Sequence, residues 1–176
     1  AAFKKTIKSL SPDKPWAMWI HFIEPHEPYR KYSHYPYGDA PIDRYDAEIR
    51  AVDSGISRIR RELKARGMAE NTIIVITSDH GEEFNEHGQR YHGKQLFEES
   101  ILVPLIIHVP GAPAIRVKER VSLIDVPETI AQLTGLPVGQ DYGGLSLAPA
   151  LDGKPLPADR SLFVECIRSN SKTRHR

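Results

Sequence analysis

Apolar residues recur along the chain with two different spacings, and each spacing predicts one kind of secondary structure. Residues 42–67 carry apolar side chains at alternating intervals of four and three, which is the repeat of one face of an amphipathic helix. The members of this face are Tyr45, Ile49, Val52, Ile56, Ile59 and Leu63. Asp43 is suited to be the N-cap of the helix, and Gly67 to the position just after its last turn.

Four shorter apolar runs predict β-strands, at residues 15–22, 71–77, 101–111 and 161–166. The runs at 71–77 and 101–111 lack polar alternation, as expected of central strands that are covered on both faces. A second helix is predicted to begin near Asp125 and to end at Gly135. Strands that alternate with helices predict an α/β layer fold with a largely parallel sheet.

The composition is that of a single globular domain. The chain has 176 residues, 40% of them hydrophobic, and its 24 Lys and Arg are balanced by 23 Asp and Glu. This balance argues against a nucleic-acid-binding protein. A lone cysteine, Cys166, excludes an internal disulfide, and no apolar run approaches the ~18–20 residues that span a bilayer. The N-terminus shows no signal peptide and lacks an initiator methionine, so we expect a processed or excised piece.

Side chains with the chemistry of a metal site follow the predicted strand at 71–77. Asp79 and His80 come directly after it, in the stretch SDHGEEFNEHGQRYHG, and Gly81 is expected to let the backbone turn sharply. Ligands of open parallel sheets bind beyond the carboxyl ends of the strands. A carboxylate beside an imidazole therefore predicts half of a divalent metal site, whose other ligands must come from elsewhere.

Two further groups of residues suit the same chemistry. His21, Glu24 and His26 follow the predicted strand at 15–22. His92 and Lys94 come shortly after the metal-like stretch and can fold back over it. A cation and a lysine stabilise charge on the oxygens of an anionic substrate, and a histidine can protonate a leaving group.

Ordinary structural roles are expected for the other polar residues of these segments. His34 and His87 are expected at the surface, and His108, inside an apolar run, is expected to be a core histidine. Three acids follow His80, namely Glu82, Glu83 and Glu86. They are expected to form a solvated acidic face or the first turn of a helix.

Six segments, in order, resemble the sulfatases, members of the alkaline phosphatase superfamily of metal-dependent phosphoryl and sulfuryl hydrolases. They are HFIEPHEPY, RYDAEIRAVDSGISRI, NTIIVITSDHGEEFNEHG, HGKQLFEESILVPLIIHVPG, VSLIDVPETIAQLTGLPV and GLSLAPALDGKPLP. The resemblance covers residues 15–165 and implies an alkaline-phosphatase-like three-layer sandwich with a largely parallel central sheet. It also implies that residues 1–176 are a single partial catalytic domain, a C-terminal portion truncated at both ends.

The resemblance assigns roles to individual residues. Asp79 and His80 resemble the late pair of metal ligands, with Ca²⁺ as the favoured ion and Mn²⁺ or Zn²⁺ as alternatives that suit an imidazole. His26 is similar to the histidine that touches the transferred group or its leaving oxygen, and His92 is the rival for that role. Lys94 resembles a lysine that contacts the anionic oxygens of the substrate.

The chain also departs from the sulfatase pattern. It contains no Cys/Ser-x-Pro-x-Arg motif, from which sulfatases mature their formylglycine nucleophile, and the paired early aspartates that bind the metal are missing. We therefore expect that the N-terminal half of the domain, with the nucleophile, is absent from this chain. The isolated chain is expected to be inactive, because the covalent route needs a nucleophile.

The leading interpretation is a metal-dependent sulfuric ester hydrolase that acts on a small-molecule or glycan sulfate ester. One alternative is a phosphoryl-group enzyme of the same superfamily, either a phosphonate or phosphodiester hydrolase or a phosphoethanolamine transferase, with a phosphate ester as substrate. The other is a non-catalytic module that binds anionic ligands. A periplasmic or extracellular location is favoured by the resemblance alone, and membrane association of the parent protein is left open.

Overall fold

The fold of the chain is α/β, as the two apolar spacings predict. The computed structural model describes residues 2–11, 13–137 and 143–166. Its elements are α1 (Ala2–Ser9), α2 (Pro41–Ala65), β1 (Ile74–Thr77), β2 (Glu83–Phe84), β3 (Arg90–Tyr91), α3 (Glu98–Ile101), β4 (Leu105–His108) and α4 (Asp125–Thr134), with 3₁₀ turns at Ala69–Asn71 and Ala148–Asp152. β1 pairs with β4, and β2 pairs with β3 in an antiparallel hairpin.

The chain forms two compact units. Among the described residues, unit 1 comprises residues 2–11, 13–74 and 83–91, and unit 2 comprises residues 75–82, 92–137 and 143–166. None of the helices in the described part of the chain is long and apolar enough to cross a membrane. The prediction that residues 1–176 are one partial catalytic domain stays a prediction.

Helix α2 is the longest helix of unit 1, and the prediction for its N-cap is wrong whereas the prediction for its C-terminal glycine is confirmed. The helix begins with Pro41, whose fixed φ suits a first helical position. Its N-cap is Ala40, and the Asp43 carboxylate accepts the Ala40 N–H at 3.0 Å, so the prediction of Asp43 as the N-cap is wrong. At the other end, Gly67 adopts the left-handed conformation with φ of 68°, as predicted. The N–H of Met68 then bonds to the Leu63 carbonyl at 3.0 Å, which completes a Schellman motif.

The apolar core of unit 1 lies between α1 and the C-terminal half of α2. Ile7, Leu63 and Met68 are buried together, with six partly buried apolar neighbours packed against them. These neighbours are Phe3, Leu10, Trp16, Ile59, Ala69 and Ile74. Of the apolar face of α2 that the spacing predicts, Ile59 and Leu63 belong to this core, whereas Ile49 is 45% exposed.

Strands β1 and β4 are shorter than the apolar runs that predict them. In the run 71–77 the strand begins only at Ile74, and in the run 101–111 it is confined to β4. Side chains of β4 alternate between partly buried and exposed, so Leu105 and Ile107 pack in a core with Leu147, whereas His108 is exposed. The expectation of a core histidine at position 108 is therefore wrong, because β4 is two-faced.

Residues 15–22 and 161–166 form no β-strand, so both of these strand predictions are wrong. A strand requires a partner for its backbone hydrogen bonds, and an apolar run cannot reveal whether that partner is present. The second predicted helix is confirmed as α4, which ends at Gly135 with a left-handed φ of 69°.

Candidate active site

The pair predicted to bind metal follows β1, where the strand turns away into irregular backbone. The Asp79 side chain is 74% exposed and that of His80 is 35% exposed. Nδ1 of His80 lies 2.8 Å from the carbonyl oxygen of Gly81. A carbonyl can only accept, so Nδ1 carries a hydrogen, and a neutral ring would bind a cation through Nε2. This Nε2 lies 3.7 Å from Oδ1 of Asp79, which also accepts the backbone N–H of His80 at 3.1 Å.

Gly81 is required by the close approach of another backbone segment. A Cβ atom at this position would overlap the carbonyl oxygen of Glu99. The Gly81 N–H donates to the Ser100 carbonyl at 2.9 Å, and Oγ1 of Thr77 donates to the Pro104 carbonyl at 2.8 Å. Since Gly81 is not among the residues with positive φ, its role differs from the sharp turn that was expected. These bonds tie the turn after β1 to the segment that leads into β4.

His92 lies against His80 in unit 2. The two imidazole rings are stacked, with centroids 3.6 Å apart and an interplanar angle of 23°. Nδ1 of His92 lies 3.2 Å from Oε1 of Glu82, whose side chain is only 3% exposed. A carboxylate that accepts from Nδ1 fixes the tautomer and the orientation of the ring, as outer partners of catalytic and metal-binding histidines do.

The acids of the stretch 82–86 do not form a solvated face. Glu82 and Glu83 are buried, with relative exposures of 8% and 1%, so the expectation is wrong for both of them. Glu86 is exposed, and its Oε2 accepts the Phe84 N–H at 2.6 Å within the β2–β3 hairpin. Glu83 is a residue of β2, and Glu82 pairs with His92 ten residues later, so neither acid belongs to the helical turn that the cluster of acids suggested.

The described residues contain no complete set of metal ligands. In the ranges 2–11, 13–137 and 143–166, no group of three or more His, Cys, Asp or Glu side chains is arranged to hold a metal ion. A carboxylate oxygen and an imidazole nitrogen with a free lone pair fit a divalent cation, so Asp79 and His80 suit two positions of a ligand set. Lys94 is exposed in the same unit, two residues after His92. The catalytic roles of Lys94 and His92 stay predictions.

His26 belongs to unit 1, on the loop between residues 15–22 and α2. The side chain is exposed, and Nδ1 donates to the carbonyl oxygen of Glu27 at 2.6 Å. As in His80, this bond to a carbonyl fixes the position of the hydrogen on Nδ1 of the ring. His21 is also exposed, and Glu24 accepts from Nη1 of Arg30 at 3.3 Å.

The His26 loop is held by α2 through a residue that the sequence pattern did not single out. Glu48 is 1% exposed, and its two carboxylate oxygens accept the backbone N–H groups of His26 and Arg30 at 3.1 and 2.8 Å. The signal that could have found it is an acid on the edge of the apolar face of α2, three residues after Tyr45. A carboxylate at such a position is rarely buried without partners.

A cavity of about 700 Å³ lies within unit 1. It is bordered by residues 27–29, by the start of α2 and by the β2–β3 hairpin. Asn85 and Tyr91 line it with positive φ values of 93° and 72°. A bulky residue such as Tyr91 rarely adopts this conformation, so the backbone of the hairpin is strained where it borders the cavity.

Comparison with known proteins identifies the relatives of the chain. The sulfatase family model matches residues 1–136. Arylsulfatase K of Bos taurus is 37% identical over 107 residues, which cover 60% of this chain and 20% of that protein. N-acetylglucosamine-6-O-sulfatase of Bacteroides thetaiotaomicron is 37% identical over 118 residues, which cover 65% of this chain and 21% of that protein.

Solved structures give the same relationship. Phosphonate monoester hydrolase of Agrobacterium radiobacter matches with a TM-score of 0.61 and 31% sequence identity, over 68% of this chain and 24% of that one. The chain thus spans about a fifth of the length of the two sulfatases. Its fold is the α/β fold of the alkaline phosphatase type, present in part. Since the family model matches well over half of its residues, the chain belongs to the sulfatase family.

Proposed function

We propose that the protein containing this chain is a metal-dependent hydrolase of sulfuric esters. The observation that carries the proposal is the pair after β1, where Nε2 of His80 lies 3.7 Å from Oδ1 of Asp79. Carboxylate and neutral imidazole are ligands of divalent metals in proteins, so a cation bound beside this pair would take one ligand atom from each side chain. Membership of the sulfatase family supports the same reading.

Asp79 and His80 would hold a divalent ion, with Ca²⁺ as the first choice and Mn²⁺ or Zn²⁺ as alternatives. Bound there, the ion would polarise the sulfuryl oxygens of the substrate as a Lewis acid. Asp79 contributes a negative charge, and the Gly81 carbonyl keeps the His80 ring in the tautomer that a ligand needs.

Three further side chains would act on the substrate. The Lys94 ammonium would bind its anionic oxygens. His26 would act at the leaving oxygen through Nε2, because Nδ1 is occupied by the Glu27 carbonyl. His92, oriented by the buried Glu82 carboxylate, is the alternative for the same role.

The nucleophile is proposed to lie outside residues 1–176, because the sulfatase motif that supplies it does not occur in this sequence. The isolated chain should therefore show no turnover of 4-nitrophenyl sulfate or 4-nitrophenyl phosphate. Turnover by the isolated chain that is lost in Asp79→Ala would contradict this part of the proposal.

The proposed function is tested on the full-length protein with 4-nitrophenyl sulfate as substrate. Removal of divalent ions with EDTA, and separately Asp79→Ala or His80→Ala, should lower kcat/KM by at least ~100-fold, since the Lewis acid is lost. Asp53→Asn, an exposed carboxylate of α2 that pairs with Arg50, is the matched control and should leave kcat/KM unchanged. A metal-stripped protein with full activity would refute the proposal.

A phosphonate or phosphodiester hydrolase is the second candidate. The likeness to the Agrobacterium radiobacter phosphonate monoester hydrolase favours it. The assay that separates the two compares kcat/KM for 4-nitrophenyl sulfate with that for 4-nitrophenyl phenylphosphonate. A ratio above ~10 in favour of the sulfate supports the sulfatase, and the inverse ratio supports the phosphonate enzyme.

We further propose that the substrate is a sulfate ester of a sugar, as the name of the Bacteroides thetaiotaomicron relative suggests. The proposal is tested by comparing kcat/KM of the full-length protein for N-acetylglucosamine 6-sulfate with that for 4-nitrophenyl sulfate. A preference for the aryl ester would contradict it. The proposed location, periplasmic or extracellular, is tested by fractionating cells of the source organism.

A further inference from the structure

We propose that Glu48 is a positioning residue that sets the place of the His26 imidazole. The proposal rests on the proposed function, in which His26 acts at the leaving oxygen. It concerns the backbone of the loop, because Glu48 does not bond to the ring itself but to the main chain on either side of Tyr29.

The contacts form a two-point clamp. Oε2 of Glu48 accepts the N–H of His26 at 3.1 Å, and Oε1 accepts the N–H of Arg30 at 2.8 Å. The donors lie 22 and 18 residues before Glu48 in the chain, so the carboxylate joins a loop to the interior of a 25-residue helix. Hydrogen bonds to an ionised and buried acceptor are stronger than bonds between neutral groups.

An aromatic contact supports the clamp from the same face of α2. Tyr29, between the two donors, is buried and packs edge-on against Tyr45, with ring centroids 5.6 Å apart. Tyr45 lies three residues before Glu48, and residues at this spacing are neighbours on a helix surface. Phe84 closes the cluster at 5.7 Å from Tyr29 and 5.2 Å from Tyr45.

The clamp reaches the ring of His26 through one further bond. Nδ1 donates to the carbonyl of Glu27, the next residue of the same loop. The ring is therefore fixed relative to the loop backbone, and the loop backbone is fixed relative to α2. The position of Nε2, the atom proposed to act at the leaving oxygen, follows from Glu48.

Two backbone donors explain why the residue is a glutamate. A carboxylate presents two acceptor oxygens, whereas glutamine of the same shape presents one oxygen and one NH₂ group. In Glu48→Gln, the NH₂ group would face an N–H donor of the loop. One bond of the clamp would be lost while the volume of the side chain is kept, so the variant perturbs position rather than packing.

The test uses the full-length protein and two sulfate esters that differ in their need for a proton donor. An activated aryl sulfate leaves as a stable anion, whereas an alkyl or sugar sulfate must be protonated as its S–O bond breaks. Glu48→Gln should lower kcat about 10–100-fold for the sugar sulfate and less than ~3-fold for the aryl sulfate, with KM within ~3-fold for both. His26→Ala should give the same selectivity, and the double variant should be no worse than His26→Ala alone. Asp53→Asn on α2 is the control without effect.

The outcomes distinguish a failure of the proposed function, including the role of His26, from a failure of the positioning role of Glu48. If the parent protein hydrolyses no sulfate ester, or His26→Ala shows no leaving-group selectivity, the proposed function or the role of His26 fails. If both behave as expected but Glu48→Gln is neutral, or equally slow with both esters, the positioning role is overturned.

A measurement on the unmodified protein tests the clamp even where Glu48→Gln does not fold. Amide hydrogen exchange at His26 and Arg30 should be slowed at least ~10-fold relative to the exposed loop residues 33 and 34. Exchange of these two amides at the rate of the loop would overturn the inference.

Discussion

Asp125→Asn should destabilise the protein by about 3–5 kcal/mol. The Asp125 side chain is fully buried, and its two oxygens accept four hydrogen bonds. Two come from the Arg160 guanidinium at 2.6 and 2.7 Å, and two from the backbone N–H groups of Ser122 and Leu145 at 2.7 and 2.8 Å. The carboxylate therefore joins the start of α4 to two later segments of unit 2.

The size of the destabilisation follows from the positive charge of Arg160, which stays behind in the Asp125→Asn variant. The Arg160 side chain is only 18% exposed, so an amide at position 125 leaves a largely buried guanidinium without its counter-charge. Removing one partner of a buried ion pair costs about 3–5 kcal/mol. The amide also presents NH₂ to at least one donor, and this adds to the cost rather than offsetting it.

The dependence on pH has a definite sign. Burial alone would raise the pKa of Asp125, but the hydrogen bonds from Arg160, Leu145 and Ser122 outweigh it and hold the pKa below its ordinary value. A carboxyl whose pKa is lower in the folded state contributes stability above its unfolded pKa of about 3.9. That contribution disappears as the pH falls through the folded-state pKa. The stability difference between the wild type and Asp125→Asn should therefore be constant from about pH 5 to 7 and should narrow below about pH 4.

The assay is urea unfolding followed by far-ultraviolet circular dichroism at a series of pH values. Asp152→Asn is the matched control, because Asp152 pairs with Lys154 at 3.8 Å and both side chains are 70% exposed. The control should change the free energy of unfolding by less than ~0.5 kcal/mol. A cost below ~1 kcal/mol for Asp125→Asn, or a cost that does not narrow in acid, would refute the reasoning.

Three further predictions concern single residues. Gly81→Ala should cost about 1–3 kcal/mol or prevent folding, because its Cβ overlaps the Glu99 carbonyl, and thermal unfolding measures this. Gly55→Ala places Cβ 2.9 Å from Cε1 of Phe22. The steric strain should exceed the ~1 kcal/mol gain in helix propensity, so Tm should fall. An unchanged Tm would show that the Phe22 ring moves away without cost. Burial, then the charges of Glu24 and Glu48, raise the pKa of Tyr32, so Tyr32→Phe should remove a phenolate absorbance step that occurs above pH 10 in the wild type. A step at or below that pH would contradict the assignment.

The parts of the fold that local sequence signals determine were predicted well. The repeat of α2 and the glycines at positions 67 and 135 are confirmed, because helix periodicity and left-handed caps act over a few residues. The strand runs at 15–22 and 161–166 were predicted from composition alone. Pairing depends on distant segments, and the described residues show pairs only for β1 with β4 and for β2 with β3.

The candidate site shows the same division. Asp79 and His80 were found because polar residues at the end of an apolar strand are a local pattern, and the structure brings His92 against His80. Glu48 was missed because its partners lie 18 and 22 residues away, and the burial of Glu82 was missed because its partner His92 lies ten residues further along the chain. Interactions that depend on the tertiary fold leave little trace in spacing.

The assignment of the β2–β3 hairpin to unit 1 has a consequence for folding during translation. The hairpin belongs to unit 1, although the chain has already entered unit 2 at residue 75 and returns to it at residue 92. Phe84, which packs on Tyr29 and Tyr45, is therefore translated only after β1. On the ribosome, unit 1 cannot be completed before the first strand of unit 2 has emerged. The whole sequence of unit 1 has been translated by residue 91, whereas most of unit 2 follows it, so unit 1 can form first once the hairpin has emerged. No single cleavage of the chain, however, separates the two units whole.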